Sequence, residues 1–197
     1  MKANSDRPYS SAAGDPDEFA IAYAFMGDDR TTEIRMLVHG ANLLGFTQDG
    51  ERRTTRWPYL EDLVAWLDTF SRTMKDDPYP LQVEGEYAVD KDANARTFET
   101  DDLDALDAYY EPLNEWCWNH SWLSERAGAV LPNVLFELKA DMVEISWDNR
   151  NAPVGVKFDC DRVDADAFRR AVADFASAYE KRWGIDIHDE STWARKR

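Results

Sequence analysis

An alternation of apolar residues gives way to a helical spacing twice along this chain, and that double switch restricts the fold more than any other feature. Phe19, Ile21, Tyr23 and Phe25 alternate with small or polar residues, Gly27-Asp28-Asp29 turns the chain, and Ile34, Met36 and Val38 alternate again. A period of two puts these side chains on one face of a hairpin. A third strand is expected around Leu43 to Phe46, after the His39-Gly40 turn, and Gln48-Asp49-Gly50 marks a further turn. From Pro58 the period changes. Leu60, Leu63, Val64, Leu67 and Phe70 recur three and four residues apart, which predicts an amphipathic helix over 58–75.

The second switch begins near residue 133. Strands are expected over 133–138 and 142–147, joined by Lys139-Ala140-Asp141, with a third in the VGVKF stretch. Asp164 then caps a helix whose Phe168, Val172, Phe175, Ala176 and Tyr179 form one stripe. Residues 19–75 and 133–183 therefore share an order, three strands and a helix, without sharing a sequence. The expected class is α+β, with antiparallel sheet or sheets and helices packed on one face: either two small βββα units sharing a core or a single covered sheet. Residues 1–17, rich in Ser, Asp, Pro and Gly, are predicted to be a disordered lead-in. One domain is expected over 18–185, followed by a polar tail at 186–197. Between the halves, 76–132 is predicted as a connecting acidic helical segment. It has a short strand near Leu81 to Val89, then a helix capped by Asp101 with Leu103, Leu106, Tyr110, Leu113 and Cys117 along one side.

Net charge is −16, and it is unevenly placed. Asp76 to Glu115 holds thirteen acidic residues against Lys91 and Arg96, a net of −11 that leaves −5 for the other 157 residues. Such a field repels nucleic acid and anionic membrane and attracts a basic protein. No apolar run approaches the ~20 residues of a membrane span, and the first residues lack the apolar centre of a signal peptide, so a cytoplasmic protein is expected. Cys117 and Cys160 are expected as reduced thiols.

Candidate chemistry is sparse. In EWCWNHSW, Glu115 to Trp122, Cys117 and His120 lie three apart on a helix, a spacing open to a metal or a catalytic pair, but no second ligand pair or orienting group stands near them in sequence. Packing is the better expectation: a buried Cys117, at least two of the three tryptophans in the core, and a structural hydrogen bond from His120. Glu137-Leu138-Lys139 has the Glu-x-Lys form of metal-dependent nucleases, in which a carboxylate holds the metal and the lysine positions water. Asp159, Asp161, Asp164 and Asp166 lack the glycine and bidentate glutamate of an EF-hand and suit helix capping instead. The residues that fit a binding face are Asp101, Asp102, Asp104, Asp107, Tyr109, Glu111 and Glu115, where carboxylates for steering alternate with aromatic anchors. Tyr110 and Trp116 belong to the same set of anchors. No cofactor or metal is expected there.

Several phrases together, Gly40-Ala41-Asn42-Leu43, Leu60-x2-Leu63-x2-Trp66-Leu67, His120-Ser121-Trp122, Leu131-Pro132-Asn133 and Val143-Glu144-Ile145-Ser146-Trp147, resemble uncharacterised, largely actinobacterial proteins of immunity-protein, antitoxin or phage-defence settings. The resemblance implies a non-catalytic role, with Trp66, His120 and Trp147 as core residues. It points to a protein-binding module for a basic partner. The alternatives are a metal-dependent nuclease centred on Glu137 and Lys139, and a DNA mimic that inhibits a nucleic-acid-binding protein.

Overall fold

The computed structural model describes residues 11–27, 30–48, 51–122, 134–148, 158–189 and 191. The fold is α+β. One antiparallel sheet holds β1 (Ser11–Asp15), β2 (Phe19–Met26), β3 (Thr31–Val38) and β4 (Ala41–Asn42) in that order, and β7 (Thr55–Trp57) also pairs with β3. Between β4 and β7 lies a separate hairpin, β5 (Phe46–Gln48) and β6 (Glu51–Arg53). Helices α1 (Glu61–Thr73), α2 (Ala88–Ala95) and α3 (Leu103–His120) follow. A second antiparallel sheet is a meander of β8 (Val134–Lys139), β9 (Met142–Asp148) and β10 (Phe158–Asp164), and α4 (Ala165–Trp183) comes last.

The two alternating patterns set the register. Phe19 pairs with Val38, Ile21 with Met36 and Tyr23 with Ile34, so six apolar side chains share the buried face of the first sheet. On β8 and β9, Val134, Phe136, Val143 and Ile145 join the same core. α4 packs against strands of both sheets. Its N-cap carboxylate, Asp164, accepts the Ala167 N–H at 2.8 Å, and Gly184 ends it in the left-handed region at φ +61°. The Phe168 ring lies 4.8 Å from Phe19 in the first sheet and 5.7 Å from Phe136 in the second, so one side chain joins the two.

The other face of the second sheet is also covered, which one layer of helices does not provide. Leu135, opposite Ser146 in the ladder, packs with Tyr79, Val89, Leu113 and Trp116, and the Val89 N–H donates to Ser146 Oγ at 3.2 Å. The acidic connecting segment is therefore an integral layer on the second sheet.

Four expectations need correction. Ser11–Asp15, within the expected lead-in, is strand β1 on β2; only Ala13 of it is buried, so no apolar alternation announced it. Gly14, at φ +91°, lets α4 approach: a Cβ there would lie 2.6 Å from that of Ala171. No strand forms near Leu81 to Val89, where α2 instead starts at Ala88, with Asp90 accepting the Tyr87 N–H at 2.7 Å. Leu43 and Leu44 are buried core residues between short strands, and α1 starts at Glu61, three residues past Pro58.

Candidate functional site: the acidic helix and the cleft beside it

Asp102, not Asp101, caps α3, its Oδ1 accepting the N–H groups of Asp104 at 3.1 Å and Ala105 at 3.2 Å. Beyond the cap, Asp104, Asp107, Glu111, Glu115 and Trp118 are three or four residues apart and so lie along one stripe of the helix. All five are exposed. The opposite side holds Leu113, Cys117 and His120, which are buried. Among the described residues, none of Asp101, Asp102, Asp104, Asp107, Glu111 and Glu115 has an ion-pair partner. The carboxylates of the predicted face are thus brought together, with no cation of the described residues paired with them.

Its predicted aromatic anchors behave differently. Tyr109 is half-buried and stacked on Phe98 with ring centroids 4.1 Å apart, while the Tyr110 hydroxyl donates to the Phe98 carbonyl at 3.1 Å. Trp116 is buried, its ring parallel to His120 at 4.2 Å and its Nε1–H donating to the Asp77 carbonyl at 2.9 Å. The aromatic ring that does face outward is Trp118, at 46 % exposed. Its helical phase with Asp104 and Glu111 was the signal that would have found it.

EWCWNHSW divides accordingly. Cys117 Sγ donates to Asp92 at 3.2 Å and lies 3.6 Å from Arg96, both on the α2 side. Burial, with Asp92 adding to it, pushes this thiol up to about 12. His120 faces elsewhere: Nδ1 is 2.7 Å from the Phe136 carbonyl and Nε2 is 3.4 Å from Asp77. Trp122 is fully buried and meets Trp57 edge-on. The stretch packs as expected, with Cys117, Trp116 and Trp122 inside and a structural bond from His120.

Beside α3 lies a cleft of about 1210 Å³, bounded by α1, the segment at 74–80 and Ile187-His188. Trp66 and Phe70 from α1 stack at 5.5 Å along one wall, and the Trp66 indole N–H donates to the Trp118 carbonyl at 3.3 Å. Asp62, Asp77 and Glu115 bring carboxylates to the lining, and Lys75 brings an ammonium. The acidic stripe of α3 therefore runs into an aromatic-walled groove at Glu115 and Trp118.

Glu137 is buried and directly opposite Glu144 in the ladder. Lys139 Nζ lies 3.1 Å from Glu137 and 2.5 Å from Glu144, and Arg162 donates to Glu144 at 2.8 Å. Two carboxylates do share one face, with two cations of the chain upon them. Among the described residues, no group of three or more His, Cys, Asp or Glu is placed to hold a metal ion. Leu131-Pro132-Asn133 lies outside the described residues.

No family model, curated protein or solved structure matches the chain. Among the described residues, no helix is long and apolar enough to cross a membrane.

Proposed function

We propose that this chain is a non-catalytic protein-binding module that uses the acidic side of α3 to capture a basic protein, in the manner of an immunity protein, an antitoxin or a phage-defence accessory. The observation that carries the proposal is the stripe Asp104, Asp107, Glu111 and Glu115, exposed and without ion-pair partners among the described residues. Unpaired carboxylates aligned on one helix face repel one another at a cost to the folded chain. A cationic surface relieves that repulsion and is steered towards it over roughly 10 Å at moderate salt.

The DNA-mimic alternative asks the same carboxylates to stand for phosphates. Four charges over the ~16 Å from Asp104 to Glu115 give about one per 5.5 Å of helix axis, sparser than the ~3.4 Å of a single DNA strand. Capture of a basic protein by charge and shape is the better fit.

The test is association kinetics with a basic partner recovered by affinity capture at low and moderate salt. Reversing Asp104, Asp107 and Glu111 to lysine should slow association by about 10-fold or more at low salt and flatten its salt dependence. An unchanged association rate, or recovery of no basic protein at either salt, would sink the proposal.

A further inference from the structure

We infer that the chain's own basic segment, Thr192 to Arg197, docks in the cleft between α1 and α3, with Trp193 against its apolar lining and Arg195, Lys196 and Arg197 against the carboxylates of α3. This rests on the reading of α3 as a binding face and adds its regulation: the segment holds the place of the basic partner until the partner displaces it. Arg195-Lys196-Arg197 is the longest run of cations in a chain of net charge −16. These residues lie outside the described ones, but the point from which they depart is fixed. Ile187, 3 % exposed, and His188 both line the cleft, and His188 is bonded to Asp68 of α1 at 2.7 Å. The Ser191 N–H then donates to Asp189 Oδ1 at 3.0 Å, so the chain turns directly after its last lining residue.

Reach, charge and chemistry select this occupant. From Ser191 the six residues to Arg197 span at most ~20 Å, and a cleft of about 1210 Å³ is about 13 Å across if round, so the cations reach its far wall. That wall is α3, where Glu115 lines the cleft and Glu111 lies one turn away on the exposed stripe, both without an ion-pair partner among the described residues. Asp77 is already in contact with His120, and Asp62 and Trp118 hold contacts of their own, so the docking draws on Glu111 and Glu115. Phe70, Met74, Pro112 and Ile187 give the lining its apolar part. Trp193 stands two residues ahead of Arg195, close enough for one segment to use both. A segment tethered this closely has an effective concentration in the millimolar range, so sparse cations do not displace it, whereas a protein with a broader basic surface does.

The experiment uses the full chain and, as probe, a fluorescein-labelled peptide of sequence STWARKR. It is titrated into wild type, into Arg195→Gln/Lys196→Gln/Arg197→Gln, and into that variant with Glu111→Gln/Glu115→Gln added, with circular dichroism checking each fold. With its own segment neutralised, the chain should bind the peptide about 5–10-fold tighter than wild type does, and loss of the two glutamates should abolish that gain. Equal affinity for wild type and the neutralised variant, or a gain that survives Glu111→Gln/Glu115→Gln, overturns the docking. A second measurement needs no substitution: in wild type, carbodiimide should join Lys196 to Glu111 or Glu115 within one chain, as mapped by mass spectrometry. A Lys196 cross-link found only at the mass of a dimer, or none to α3, also overturns it. A basic protein that associates with wild type and the neutralised variant at equal rates removes the gate and leaves the binding reading standing. Failure to recover any basic protein sinks that reading, while the peptide titration still decides the docking.

Discussion

Glu61, in the first turn of α1, is fully buried beside the Arg30 guanidinium, which is itself only 7 % exposed. Arg30 lies over the Tyr59 ring at 5.6 Å, and the Tyr179 hydroxyl of α4 accepts the Leu60 N–H at 3.1 Å. Burial, with the Glu61 carboxylate nearby, holds the Tyr179 hydroxyl protonated far above its usual range. Glu61→Leu would strand a guanidinium in this interior. Removing one partner of a buried pair costs about 3–5 kcal/mol, whereas replacing both with apolar groups is close to neutral. One kcal/mol shifts Tm by roughly 2–4 °C in a domain of this size, so Glu61→Leu should melt about 6–20 °C below wild type. Arg30→Met/Glu61→Leu should recover most of that loss. Urea unfolding of wild type, both single variants and the double variant measures the coupling directly. If Glu61→Leu costs less than about 1 kcal/mol, or the double variant is no better than the single, the pair is not the buried junction of β3, α1 and α4 described above.

Two further expectations concern titration. Burial pushes both Cys117 and Cys160 thiols up to about 12, with Asp92 adding at the first and Glu144 at the second. At pH 8 the thiolate fraction should therefore be about 10³-fold below that of an ordinary thiol near 9, and iodoacetamide should modify both slowly until the chain is unfolded by urea; fast labelling of either would refute the burial. Because these values are raised, the stability they contribute is complete below pH 9 and is lost as pH climbs towards 12. His39 is raised from 6.5 because its ring nitrogens lie 3.2 Å from the carbonyls of Asp17 and Arg162, and only the imidazolium donates to both. Its contribution is present below about pH 6.5 and fades as pH rises through its folded value, so the urea midpoint should fall over that window in wild type and less in His39→Gln.

Much of the fold was legible because its strands and long helices carry their own periodicity. Phe19 to Phe25 and the Phe168 to Tyr179 stripe each point to one buried face, the apolar runs from Val134 and Val143 mark strands buried on both faces, and Asp164 caps α4 as its position suggests. β1 was not legible, since SAAGD has small residues that become a strand only when β2 pairs with it and α4 packs over Gly14. α2 is eight residues long and lacks the Ser, Thr, Asp or Asn that usually announces a cap. At the site, the carboxylates were readable from helical spacing. The cleft was not, because Trp66 and Trp118 are fifty-two positions apart and meet only through tertiary packing. Whether an aromatic faces solvent depends on what packs on it: Phe98 covers Tyr109 and His120 covers Trp116, while Trp118 is 46 % exposed.

Phe168 joins the two sheets, and that has a consequence for how the molecule is made. Its partner Phe19 leaves the ribosome roughly 150 residues earlier, which at ~5–20 residues per second is about 7–30 s. Throughout that interval the inner face of β2 and β3, with Phe19, Ile21, Met36 and Val38, has no α4 to cover it. The nascent chain carries a sticky hairpin for most of its synthesis, and the strongly acidic segment that emerges next supplies repulsion between neighbouring unfinished copies.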